Sequence, residues 1–205
     1  MAFGAGTLIA ALALVLMEDA HRHGGLWPAA AGFLAGAALY TGADLLIRRL
    51  VGKRRRGAER AEQSGLAIAC GSLIDNVPEG MVIGIGVIGA GTASPALLAA
   101  VFLSNFPEAL ASAARMRAAG HHAPFILGVW SAIGALCGLA AWTGFLVFRT
   151  FSEAGIAFAS AVAAGAIVAM IVDTLIPEAY EGAHDYSGLI TAAGFLLAFS
   201  LHKTA

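Results

Sequence analysis

The chain's 205 residues include 12 Lys and Arg against 13 Asp and Glu, a formal net charge of -1, and 59% of them are hydrophobic against 12% charged. With a mean hydropathy of +0.81, this is more apolar material than a water-soluble fold can hide, which excludes a soluble globular domain and indicates a polytopic membrane protein. The two cysteines, Cys70 and Cys137, both lie in apolar stretches. They exclude a disulfide framework or a Cys-x-x-Cys metal site and read as small packing residues.

In chain order, seven apolar segments are each read as a membrane-spanning helix: about 3–17, 27–47, 65–88, 95–116, 124–148, 156–177 and 187–201. The first and last are short for a span of roughly 20 residues. No Lys or Arg precedes Arg22, so the first segment lacks the basic start of a signal peptide and is read as a retained helix. The connections are short apart from 48–64, which holds Arg48, Arg49, Lys53, Arg54, Arg55, Arg56 and Arg60. Such a run reads as a cytoplasmic topology anchor rather than a nucleic-acid patch.

With that loop inside, alternation puts the amino terminus in the cytoplasm and the carboxyl terminus outside. Arg115 and Arg117 then also fall inside, and only Arg22, Arg149 and Lys203 fall outside, so nine of the 12 basic residues obey the positive-inside rule. The expectation is one transmembrane domain over residues 1–205, an all-α bundle of about seven helices, with the lipid bilayer as partner and no nucleic acid.

The polar residues inside these spans carry the chemistry. Ser72, Asp75, Asn76, Pro78, Glu79 and Gly80 interrupt the third span, and Asn-x-Pro-Glu returns in the fourth as Asn105, Pro107 and Glu108, preceded by Ser104. The turn-like residues 89–95 between the two copies make the segments antiparallel. Glu79 lies 14 residues before Ala93 and Glu108 lies 15 after it. At about 1.5 Å of rise per residue, both carboxylates reach roughly 21 Å from the turn, near the bilayer midplane.

Asp75, four residues before Glu79, shares its helix face. Pro78 frees the carbonyl of Ile74, and Pro107 that of Leu103. Each carboxylate at this depth costs about 2.5–3.5 kcal/mol on insertion scales, and no Lys or Arg lies between Gly65 and Leu110 to neutralise it. One reading is a bound divalent cation, coordinated by carboxylate, amide and carbonyl oxygens; the other is a hydrogen-bonded cluster of protonated acids. Three acids and two prolines at one level are costly for packing alone, which favours the cation.

Two peripheral groups fit a cation path. Glu18, Asp19, His21 and His23 form an acidic and imidazole cluster at the outer end, readable as an entrance or as a solvated helix end. Asp173, Glu178 and His184, with Glu181 and Asp185 nearby, lie on the cytoplasmic side and are readable as an exit path or a solvated loop. Gly80, Gly84 and Gly86 have the spacing of close helix contact. All six histidines lie at span ends or in loops, so none serves Ser72 or Ser104 as a base. With His-Glu-x-x-His and paired Glu-x-x-His also missing, the chain is not read as an enzyme, and no resident cofactor is expected.

The run Asp75-Asn76-Val77-Pro78-Glu79-Gly80 resembles the His-Asn-x-Pro-Glu-Gly signature of ZIP-type divalent metal transporters, especially the short prokaryotic GufA-like group. The second Asn-x-Pro-Glu is similar to that family's following helix, and the stretch from Val172 to Glu181 to its acidic Ile-Pro-Glu segment. The likeness covers essentially the whole chain; the seven spans correspond to the second to eighth of the usual eight. It implies inward transport of a divalent metal across the cell (inner) membrane, by a homodimer exposing its site alternately to each side. The implied ligands are Asp75, Glu79 and Glu108, with Asn76, Ser104 and Asn105 as oxygen donors.

Three departures from the family pattern shape the expectation. Asp75 stands where the family usually has His, Asn105 where it often has an acid, and no Asp or Glu occurs between Glu108 and Glu153 to build a second metal position. Replacing imidazole by carboxylate shifts preference from zinc toward harder ions such as manganese or iron, without excluding zinc. The alternative reading is a protein of the same fold whose altered site no longer transports and which acts as a structural or regulatory subunit.

Overall fold

The computed structural model describes residues 1–52 and 65–204; for 47–52, 65–68, 70–75 and 89–90 it describes the backbone only. Most of the basic run 48–64, and the side chains of Arg48 and Arg49, therefore lie outside the described residues. The described residues form seven helical rods and no strand. They are α1 (Ala2–Gly24), α2 (Leu26–Gly52), α3 (Gly65–Ala90), α4 (Pro95–Ala118), α5 (Ala123–Phe148), α6 (153–183) and α7 (Ser187–Thr204).

The expected all-α membrane bundle is what is found. Among the described residues, five stretches are long and apolar enough to cross a membrane, one of which, Glu153–Thr204, comprises α6 and α7 together. Several rods overrun their apolar segments. The first continues through Glu18 and His23 to Gly24, and the second carries helix past Arg48 to Gly52, where a loop is expected from the charge. Intrahelical hydrogen bonding persists beyond the hydrocarbon boundary because charged residues are tolerated in a helix whose end is solvated.

Two rods contain a turn of π-helix, Leu12–Met17 in α1 and Ile171–Leu175 in α6. The reversals rest on local chemistry. Between α3 and α4 the chain turns at Gly91, whose φ of 71° suits a residue without Cβ. Ser94 then caps α4, its Oγ accepting from the N–H of Leu97 at 3.4 Å, with Pro95 in the first helical position.

Packing sorts the rods into inner and outer. In the most apolar window, 56% of α1 is buried but only 17% of α2 or α5, so α1 lies inside the bundle and α2 and α5 at its periphery. One core joins α1, α3, α4 and α6 through Leu8, Leu12, Val82, Leu97, Val101 and Ile171. Among the described residues, three helix pairs cross on a glycine from each helix. A Cβ at Gly6 of α1 would run into the Thr191 carbonyl of α7, and one at Gly194 into that of Phe3. Gly36 of α2 meets Val162 of α6 in the same way, and Gly165 meets Phe33; Gly84 of α3 meets Ala141 of α5, and Gly144 meets Met81.

Lipid tails are as apolar as leucine, so close backbone approach, rather than exclusion of water, holds such pairs together. Gly80 also packs on α5, while a Cβ at Gly86 would meet the Leu97 side chain at an ordinary 3.8 Å. The registers of Gly80 with Cys137 and Gly84 with Ala141 run in the same direction, as alternating membrane crossings require of α3 and α5.

Candidate functional site

Both Asn-x-Pro-Glu segments remain helical through their prolines, Pro78 within α3 and Pro107 within α4. Their polar residues meet in the interior. Asn105 Nδ2 donates to Glu79 Oε2 at 2.6 Å and to the Val101 carbonyl at 3.0 Å, so both amide hydrogens are used, one across the helix pair and one within α4. Ser104 Oγ donates to the same Val101 oxygen at 2.9 Å. That carbonyl thereby accepts from two side chains.

Glu79 is only 2% exposed, and Asn76 and Ser104 are buried beside it; Glu108, one helical turn beyond Ser104, is half-buried. A carboxylate this deep is retained only where it is hydrogen-bonded or charge-balanced. The short contact to Asn105 is one such bond.

Leu103, whose carbonyl Pro107 releases, lies where α1 crosses α4: a Cβ on Gly4 would sit 3.0 Å from that oxygen and 2.5 Å from Ser104 Cα. Thr7, fully buried, donates to the Gly4 carbonyl at 2.8 Å and reaches the Ala100 carbonyl at 3.4 Å. Gly4 and Thr7 thus brace α4 directly behind Ser104. The expectation of a released oxygen at the level of the acids overlooks this: on α4 the oxygen is packed against a third helix. Asp75 is placed on α3 one turn before Glu79, and its side chain lies outside the described residues.

A cleft opens at each end of the bundle. At the end holding Glu18–His23, a cleft of about 340 Å³ is lined by Asp19, His23, Ile85, Ser94, Glu153 and Ser160, among others. Of the expected entrance residues, Asp19 and His23 line it. Glu18 is instead paired with Arg22 at 2.9 Å, and His21 is exposed outside it. At the opposite end, a cleft of about 300 Å³ includes Phe3, Pro107, Glu178 and Ile190. Of the expected exit residues, only Glu178 lines it. Asp173 is exposed in the π turn of α6, and His184, also exposed, sets its ring edge-on to Tyr180.

Glu153 and Ser160 were not singled out in sequence, although the Ser152-Glu153 helix start is a capping signal. Thr7 was missed as well; its signal is a lone hydroxyl in a wholly apolar span. Among the described residues, no three His, Cys, Asp or Glu side chains converge closely enough to form a metal centre.

These features define a membrane helix bundle with a buried carboxylate–amide pair between two clefts. No protein-family model and no curated protein matches the chain, so any more specific reading rests on the residues and their geometry.

Proposed function

We propose that the chain transports a divalent metal cation across the membrane, with Glu79, Asn105 and Glu108 at the centre of its path and Asp75, Asn76 and Ser104 as further oxygen donors. The carrying observation is the position of the Glu79–Asn105 bond, buried between clefts that face opposite ends of the bundle. Six residues of helix, about 9 Å, separate Glu79 from Ile85 in one cleft. Val82, Leu97 and Val101 pack into that interval and exclude water. The other cleft reaches Pro107, next to Glu108. A site near one cleft and sealed from the other by apolar side chains is one half of an alternating-access cycle.

Arg115 and Arg117 lie in the last turn of α4, at the Glu178 end, which by the positive-inside rule supports reading that end as cytoplasmic and the His23 end as external. The oxygen-rich donor set suits manganese or iron as well as zinc. The motif resemblance supports inward movement and a homodimer.

The test is uptake of Zn²⁺, Mn²⁺ and Fe²⁺ into proteoliposomes enclosing a metal-sensitive dye. Wild type should load at least one of them, and Glu79→Ala or Glu108→Ala should not, with each variant folded and inserted. A wild-type protein that inserts but moves none of the three leaves the non-transporting subunit as the reading.

A further inference from the structure

We propose that the last eight residues of α6, Ile176–Ala183, form a hinged lid on the cleft beside Glu108; as a gate it rests on the transport reading above. The segment is bounded at each end by a departure from regular backbone. Before it lies the π turn Ile171–Leu175, the kind of interruption at which helices bend. Pro177, its second residue, has no N–H to return to that turn. After it lies His184, with φ 41° and ψ -115°, the one non-glycine residue with positive φ among the described residues. A side chain makes that conformation costly, so it persists only where neighbouring contacts hold it.

Those contacts are light. The Ser187 hydroxyl, at the start of α7, lies 2.9 Å from the His184 carbonyl and 3.2 Å from that of Ala179. With a single hydrogen, it donates to one of them at a time. The His184 ring meets that of Tyr180 edge-on at 5.7 Å. Of the eight lid residues only Ala179 is buried, whereas Ile171 and Leu175 of the π turn sit in the core and Thr174 meets Tyr40 of α2 at 3.4 Å. The helix is therefore anchored as far as Leu175 and weakly held beyond it, the distribution from which moving segments are drawn.

The lid supplies Glu178, Ala179, Gly182 and Ala183 to the cleft, facing Phe3, Pro107 and Ile190 among others. Rotation about the two hinges moves these four residues as a unit, narrowing the approach to Pro107 and Glu108. The crossing of α6 on α2 stays in place, because Gly165 lies before the π turn. Hinges at element ends that absorb such a change leave the packed core intact. In the conformation described, the Ser187 tie and the His184 backbone hold the lid in its open position.

The test is a distance measurement between spin labels on the full chain in lipid nanodiscs, with Cys70 and Cys137 replaced by alanine. One label is placed by Glu181→Cys on the lid and the other by Ala118→Cys at the end of α4, both exposed positions. This pair should give two distances, or a broader distribution than the reference pair Asp173→Cys and Ala118→Cys, which reports the anchored part of α6. Ser187→Ala, which removes the tie, should shift population away from the main distance. His184→Gly, which adopts the same backbone without the cost of a side chain, should shift population toward it and raise the thermal unfolding midpoint.

A lid distribution as narrow as the reference overturns the proposal, as does one that neither variant changes. If Ser187→Ala fails to fold, His184→Gly against the parent decides alone. The readout is a distance, so its failure is separable from that of transport. A lid that moves in a chain carrying no metal overturns only the transport reading, and metal flux through a chain whose lid is fixed overturns only the lid.

Discussion

Asn105 is the residue on which the interior polar contact turns. Its amide spends one hydrogen on Glu79 Oε2 and the other on the Val101 carbonyl, so its orientation is set from two sides. A hydrogen bond to a charged group contributes about 1.5–3 kcal/mol. Asn105→Leu should lower the stability of the detergent-solubilised protein by that order, read from its chemical unfolding midpoint. Asn105→Asp tests the cation reading at the same position, because it sets a second carboxylate against Glu79. That variant should be destabilised in chelator and recover on adding Mn²⁺ or Zn²⁺, measured by thermal unfolding in each condition. Equal stability with and without metal would mean that no cation bridges the pair.

At the scale of helices, the bundle is organised by glycine crossings. Gly36 and Gly165 each face a carbonyl of the opposite helix, at Val162 and Phe33, whereas Gly42 on the same α2 has nothing within 4 Å. Replacing either crossing glycine by Ala forces backbone apart, and overpacking of this kind costs about 1–3 kcal/mol. Gly36→Ala and Gly165→Ala should therefore destabilise α2 against α6, and the double variant should lose less than the sum because one separation relieves both clashes. Gly42→Ala should be neutral or slightly stabilising through helix propensity. Unfolding in a graded SDS titration distinguishes these outcomes; additive losses would show that the two crossings are independent. Gly4 serves the site in the same manner, since only a residue without Cβ lets α1 approach the Leu103 carbonyl.

At the scale of the whole molecule, the two clefts give the bundle two unlike ends. His21 is exposed at one end and Asp185 at the other. In a cysteine-free background, His21→Cys should react with a membrane-impermeant thiol reagent added outside intact cells, and Asp185→Cys only after the inner face is opened. The reverse pattern would invert the proposed direction. The sequence by itself determined the all-α class and the order of the apolar helices, because the length of an apolar run is a local property. It also showed that the two Asn-x-Pro-Glu segments run antiparallel, because a short turn leaves adjacent helices no other course. Helix ends were less legible: the hydrogen bonding that carries α1 to Gly24 does not stop where the apolar residues do. Only the tertiary structure decided that Glu79 meets Asn105, that Gly4 covers the carbonyl freed by Pro107, and that Glu153 and Ser160 line a cleft with Asp19 and His23. Those contacts join residues far apart in the chain, and they depend on which helix faces pack together, a choice made by the crossing glycines through close backbone approach rather than by any local pattern of polarity.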